Sequence, residues 1–125
     1  MRKDLNETLM QEFPFLYGEQ LKRYGFACGD GWYALLYTLS TKLEKLLKEL
    51  PPEKQFHAVQ VKEKFGTLRF YTSPYNEAVE SLIREAENVS ARTCEWCGDT
   101  GKLRSGPGAW WRTLCNSCDT TSGSV

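Results

Sequence analysis

Two Cys-x-x-Cys pairs, Cys94-Glu95-Trp96-Cys97 and Cys115-Asn116-Ser117-Cys118, stand seventeen residues apart near the end of a 125-residue chain. No other feature constrains the fold as strongly. Two thiolates at this spacing chelate one ion through a tight knuckle. A second pair closes a tetrahedral four-sulfur shell, the structural preference of Zn2+. Gly98 directly follows the first pair, where a knuckle needs a residue free to take positive φ. Four sulfurs leave no open coordination position, so the metal is expected to be structural rather than catalytic.

The segment between the pairs holds Gly101, Gly106, Pro107 and Gly108, then Ala109-Trp110-Trp111-Arg112-Thr113-Leu114. This pattern predicts two short strands around a turn, and the region resembles a zinc ribbon. The spacing also admits two vicinal disulfides, an iron centre of rubredoxin type, or redox-active pairs. Redox action needs one accessible pair of low thiol pKa near a βαβ unit, which the pattern does not show. Cys28 is the fifth and odd cysteine. It reads as a buried small hydrophobe, because the only histidine, His57, sits at the start of a predicted strand and reads as structural.

The rest of the chain has the composition of a soluble domain, 41% apolar and 26% charged, enough for one core. Sixteen basic residues balance sixteen acidic ones, which disfavours a bulk electrostatic grip on nucleic acid but not a local basic patch. No apolar run reaches the roughly 18–20 residues of a membrane span. Met1-Arg2-Lys3-Asp4 opens no signal peptide, and the paired cysteines suit a reducing compartment, so a cytoplasmic address is expected.

Asp4-Leu5-Asn6-Glu7 has the spacing of a capping box, predicting a helix with Leu5, Leu9 and Phe13 on one face and Pro14 at its end. Residues 15–29 read as irregular or briefly helical. A long helix is predicted over 31–49 with Asp30 as N-cap and a stripe of Trp32, Leu35, Leu36, Leu39, Leu43, Leu46, Leu47 and Leu50. Lys42, Glu44, Lys45, Lys48 and Glu49 read as its solvated face. Pro51-Pro52 stops it.

Period-two alternation predicts a β-hairpin over 57–72, with Val61 facing Phe70 on the inner side and Lys62 facing Arg69 on the outer. A two-residue loop at Phe65-Gly66 would force positive φ on Phe65, so a four-residue loop over Lys64–Thr67 is expected. Like charges across a ladder need compensation. Glu63 points to the other side, which leaves another segment's carboxylate or a bound anion. Ser73-Pro74 predicts a helix over 74–90 with Ser at N-cap and Pro at the first position; Ala78, Val79, Leu82, Ile83, Ala86 and Val89 mark its apolar face. The fold class is therefore α+β, helices packed on a β-hairpin, with a C-terminal four-cysteine ribbon. The expected units are a body over 1–91, a ribbon over 92–119 and a loose tail over 120–125.

Two clusters join aromatic rings to cations. Lys62, Lys64, Arg69 and Tyr71 lie on the outer hairpin face. Arg92, Trp96, Lys102, Arg104, Trp110, Trp111 and Arg112 lie in the ribbon. An indole beside guanidinium groups can stack a base while the guanidinium grips a phosphate. The same tryptophans could instead pin the ribbon to the body. The backbone N–H groups at Gly29-Asp30-Gly31-Trp32 are a weaker anion site, expected to be capped by Asp30.

Cys28-Gly29-Asp30-Gly31-Trp32, the run from Val61 to Tyr71, and Arg92–Cys94 through Trp111–Cys115 together resemble a family of small uncharacterised proteins of phages and bacteria. The resemblance spans about residues 26–118 and carries no site residue over. A phage setting would imply host takeover or counter-defence. Three function classes follow. One is a zinc-stabilised, non-enzymatic binding protein holding an anionic ligand: a nucleotide, including a sequestered host signalling nucleotide, or nucleic acid. The second is a protein–protein adaptor or inhibitor of a host factor, with the same tryptophans as contact residues. The third is a small enzyme, which the absence of a recognisable acid/base pair disfavours.

Overall fold

A computed structural model describes residues 1–106 and 110–123, with side chains as far as Asp119. The leucine stripe forms the central helix α3, Tyr33–Glu49. Its Leu36, Leu39, Leu43 and Leu47, with Trp32 just before it, are buried, while Leu35, Leu46 and Leu50 are partly covered. Each fully buried leucine contributes about 1.5–3 kcal/mol. The stripe is thus consumed by the core of this chain. Glu44 departs from the expected solvated face. It is buried, and its Oε1 accepts a hydrogen bond from Phe15 N–H at 3.0 Å, because the segment after α1 folds back over this side of α3.

Helix α1, Lys3–Glu12, contributes Leu9 and ends before the buried Phe13 and Pro14. The capping box does not form. Arg2 occupies the N-cap without a side-chain cap bond, and Asp4 lies in the first turn paired with Arg2 at 3.2 Å. Asp30 likewise does not cap α3. A 3-10 turn over Asp30–Trp32 precedes the helix, and the Asp30 carboxylate instead accepts from Arg2 N–H at 2.7 Å. Tethering the N-terminus to this turn satisfies both backbone and carboxylate.

A short helix α2, Glu19–Tyr24, and a two-residue strand β1, Phe26–Ala27, occupy the segment expected to be irregular. β1 runs parallel to β2, His57–Lys64, which pairs antiparallel with β3, Thr67–Ser73, in the order β1-β2-β3. Val61 faces Phe70 and Lys62 faces Arg69, as alternation requires. The loop is the two-residue one. Lys64 pairs with Thr67, and Phe65 and Gly66 take φ of 55° and 87°. Positive φ at Phe65 is held from outside: Gly66 N–H donates to Glu63 Oε2 at 2.8 Å, and Gly66 C=O accepts from Thr113 Oγ1 at 2.7 Å.

β3 continues to Ser73, so Ser73 is a strand residue and not a cap. The next helix, α4, Glu77–Ser90, starts three residues beyond Pro74, with Asn76 Oδ1 accepting from Ala78 N–H at 2.9 Å. Val79, Ile83 and Ala86 bury against the body, whereas Ala78, expected on the same face, is exposed in the first turn where its N–H is taken by the Asn76 cap. Strands β4, Lys102–Ser105, and β5, Trp111–Leu114, form an antiparallel ribbon; the expected turn at Pro107, Gly108 and Ala109 lies outside the described residues. The chain then continues as α5, Asn116–Gly123, through residues read from sequence as loose tail; Ser124 and Val125 lie outside the described residues. Among the described residues no helix is long and apolar enough to cross a membrane.

Candidate metal centre and its seam with the body

The first cysteine pair follows α4. Cys94 N–H donates to Asp99 C=O at 2.7 Å, and Gly98 N–H returns to Cys94 C=O at 2.9 Å, closing the loop tightly. Gly98 has φ of 87°, the conformation expected there. The second pair spans the end of β5 and the first turn of α5, where Cys118 N–H lies 3.4 Å from Cys115 Sγ. Cys94 and Cys115 are buried, Cys118 is half-buried and Cys97 is exposed.

The four sulfurs lie within 4.8 Å of one another, and Cys97 and Cys115 Sγ are 3.6 Å apart. A tetrahedral shell with Zn–S near 2.3 Å places sulfurs about 3.8 Å apart, so the cluster can hold a metal ion. Burial opposes ionisation of Cys94, but backbone N–H groups of Cys115, Cys97 and Trp96 outweigh it and bring the thiol down to about 7. Cys118 is pushed strongly up, first by burial and then by the neighbouring thiols. Four close thiolates cannot all ionise without a cation among them, and a metal supplies that charge. Among the described residues the apolar core here is Cys94, Leu114 and Cys115 with Cys118 against them.

The ribbon docks on the body through one seam. Glu95, between the first two cysteines, is buried. Its Oε2 accepts Gly29 N–H at 3.0 Å, its C=O accepts Gly31 N–H at 2.7 Å, and its Oε1 meets Arg112 Nη1 at 3.0 Å. Arg112 also reaches Glu63 at 3.5 Å. Trp32 Nε1–H donates to Thr93 C=O at 2.9 Å. The backbone N–H group at Gly29 does find an anion, the chain's own Glu95. The glycine-rich turn, the hairpin tip and the cysteine knuckle thus meet at one place. Sequence reading missed Glu95 because it stands between two metal ligands with no partner visible nearby. It placed Glu63 correctly on the far side of the hairpin from Lys62, without knowing that Arg112 waits there.

The two aromatic–cationic clusters meet at the hairpin tip, where a side chain at Gly66 would touch Leu103 and the Trp111 and Arg112 backbone. Arg69 pairs with Glu87 of α4 at 3.4 Å, so a carboxylate answers its apposition to Lys62. Arg104 faces Arg112 across the ribbon and pairs with Asp119 at 2.9 Å. The Lys64 ammonium lies 5.6 Å above the Phe65 ring. Tyr71 and Arg92 are exposed, and Lys62 is half-buried. Trp110 and Trp111 are 37% and 42% exposed, and Trp96 is 44% exposed. Cys28 is buried in the body core, and burial, then the nearby Glu95, pushes its thiol up to about 12. His57 is exposed at the start of β2, its ring beside Gly18.

Comparison with protein-family models, curated proteins and solved structures finds no match to this chain.

Proposed function

We propose that this chain is a non-enzymatic binding protein in which structural Zn2+ holds together a ribbon docked on an α+β body, and whose exposed aromatic edge contacts a protein partner. One contrast carries this reading. Arg69, Arg104 and Arg112, three of the four arginines in the two aromatic–cationic clusters, are spent on internal carboxylates, while the rings beside them stay open and Arg92 is left exposed. Arg69 pairs with Glu87, Arg104 with Asp119, and Arg112 with Glu95 and Glu63. Phe65, Leu103, Trp110 and Trp111 are all exposed. Leu103 and Trp111 stand on one face of the ribbon, since the paired positions Leu103–Thr113 and Ser105–Trp111 alternate together, and Thr113 binds the hairpin tip that carries Phe65. Aromatic side chains around a hydrophobic centre are the usual anchors of protein interfaces. Lys64 and Lys102 have no carboxylate partner among the described residues, which suits a partner with an acidic rim.

Native mass spectrometry of gently purified protein, set against its denatured mass, is the first test. One zinc and no further mass is expected. A co-purifying mass of nucleotide size would overturn the protein-partner reading in favour of an anionic ligand. Photo-cross-linking from position 103 in the source cell is then expected to give a discrete protein adduct. Trp111→Ala should remove it, and a cross-linker at exposed Tyr24 should not yield it. Equal adducts from both positions would refute the aromatic edge as the contact.

A further inference from the structure

The four sulfurs of the cluster are unequally covered. Cys94 and Cys115 are buried and Cys118 is half-buried, but Cys97 is exposed. A cleft of about 500 Å3 opens on Cys97 between the knuckle and the start of α3. Gly31, Tyr33 and Thr38 line one side of it, and its charged lining residues are Asp30 and Asp99. The Cys115 sulfur, from the other knuckle, lies 3.6 Å from that of Cys97.

A thiol that ligates a metal is held as thiolate, and oxidation of a cysteine follows thiolate character and exposure together. All four ligands share the first property. Only exposure separates them, and it singles out Cys97. Carboxylates at the mouth of the cleft repel an anionic oxidant and leave an uncharged one free to enter.

We infer that Cys97 is an oxidation site: a small hydroperoxide reaches it through this cleft, and Cys115 then closes a disulfide with it that expels the metal. The inference rests on the metal-bound reading above. The Cys97 thiolate attacks a peroxide oxygen; an S–O bond forms, the O–O bond breaks and hydroxide leaves. The Cys115 thiolate attacks the resulting sulfenic sulfur; an S–S bond forms, the S–O bond breaks and a second hydroxide leaves. Solvent protons convert both hydroxides to water. The two thiolates lose two electrons and the peroxide gains them. The sulfurs close from 3.6 Å to about 2 Å, and Cys94 and Cys118 remain as two ligands where four closed the shell.

This modification reaches the body through the knuckle. Glu95, between Cys94 and Cys97, holds Gly31 N–H on its C=O and Gly29 N–H on its carboxylate. Drawing Cys97 toward Cys115 reshapes that loop and loosens the dock of the ribbon. A reductant together with fresh metal reverses it, so the site is a switch rather than a redox catalyst.

The test uses the full, metal-loaded chain and stoichiometric hydrogen peroxide, with zinc content read by native mass beforehand. Dimedone, which traps sulfenic acid, is expected to label Cys97 ahead of the other cysteines in peptide maps. Without dimedone the maps should show a Cys97–Cys115 disulfide, and a chromogenic chelator should detect one zinc released per disulfide formed. Hydrogen exchange at the Gly29 and Gly31 amides should speed up. Dithiothreitol with added zinc should restore the starting mass and the starting exchange. Cys28, buried in the body, should stay reduced throughout. A chain without metal before treatment would count against the zinc reading, while the order of labelling would still decide this one. Labelling of Cys94, Cys115 or Cys118 before Cys97, a disulfide between any other pair, zinc retained by the oxidised chain, or unchanged exchange at Gly29 and Gly31 would each overturn the proposal.

Discussion

Replacing Gly31 by alanine tests the seam between ribbon and body. A Cβ there would sit 2.1 Å from the Cys94 carbonyl oxygen and 2.6 Å from Glu95 C and Gly98 N, all of them backbone atoms. No side chain can swing aside, so the knuckle must retreat by about an ångström to restore ordinary contact. That retreat breaks or stretches two bonds, Gly31 N–H to Glu95 C=O and Gly29 N–H to the Glu95 carboxylate. A neutral bond contributes about 1 kcal/mol and a charge-assisted one about 1.5–3 kcal/mol. Alanine returns about 0.4–1 kcal/mol by restricting the unfolded chain. The net expectation is a loss of about 2–3 kcal/mol. With a urea m-value of about 1.5 kcal/mol per molar, the midpoint of the metal-loaded protein falls by about 1.3–2 M. Gly18→Ala is the control, because its Cβ would meet only the His57 ring at 3.5 Å, an ordinary contact. Equilibrium urea unfolding followed by tryptophan fluorescence reads both. A Gly31→Ala midpoint equal to that of Gly18→Ala would refute the seam as a close backbone contact.

Three further outcomes are expected. Phe65→Asn relieves the left-handed conformation at φ 55° and should raise stability by about 0.5–1 kcal/mol, read as a higher Tm; an unchanged or lower Tm would count against the two-residue turn. Arg69→Ala should cost less than about 1 kcal/mol, because its pair with Glu87 is one-third exposed and its loss also relieves the apposition to Lys62; a loss above about 2 kcal/mol would show that the pair holds the hairpin to α4. Chelation should release the ribbon and open Cys97 to iodoacetamide first, while Cys28, buried and with its thiol held up to about 12, stays unmodified until the body unfolds. Peptide mass mapping reads the order, and modification of Cys28 as fast as Cys97 would refute a body core that survives metal loss.

Much of the molecule was legible because its signals are local or periodic. The stripe from Trp32 to Leu47 declares both a helix and its buried face, since side chains three and four apart share a side. Strand parity alone placed Val61 opposite Phe70 and Lys62 opposite Arg69. The cysteine spacing alone announced a metal-sized cluster, as the sulfur distances bear out. What failed were judgements of local cost. Positive φ at Phe65 is expensive in isolation, yet bonds from Glu63 and Thr113 to Gly66 hold the turn. Asp4, Asp30 and Ser73 each had cap spacing, but a cap forms only where the incoming chain has the right direction, and that is settled by what the chain packs against.

Sequence by itself therefore determined the long helix, the hairpin register and the four thiols, because each depends on residues a few positions apart or on alternation along one strand. Only tertiary structure decided which charges remain free. Arg69, Arg104 and Arg112 look alike as cations in a sequence. Glu87, Asp119, Glu95 and Glu63 neutralise them from other segments of the fold. Coulomb attraction depends on distance in space, which spacing along the chain does not reveal for groups on different elements.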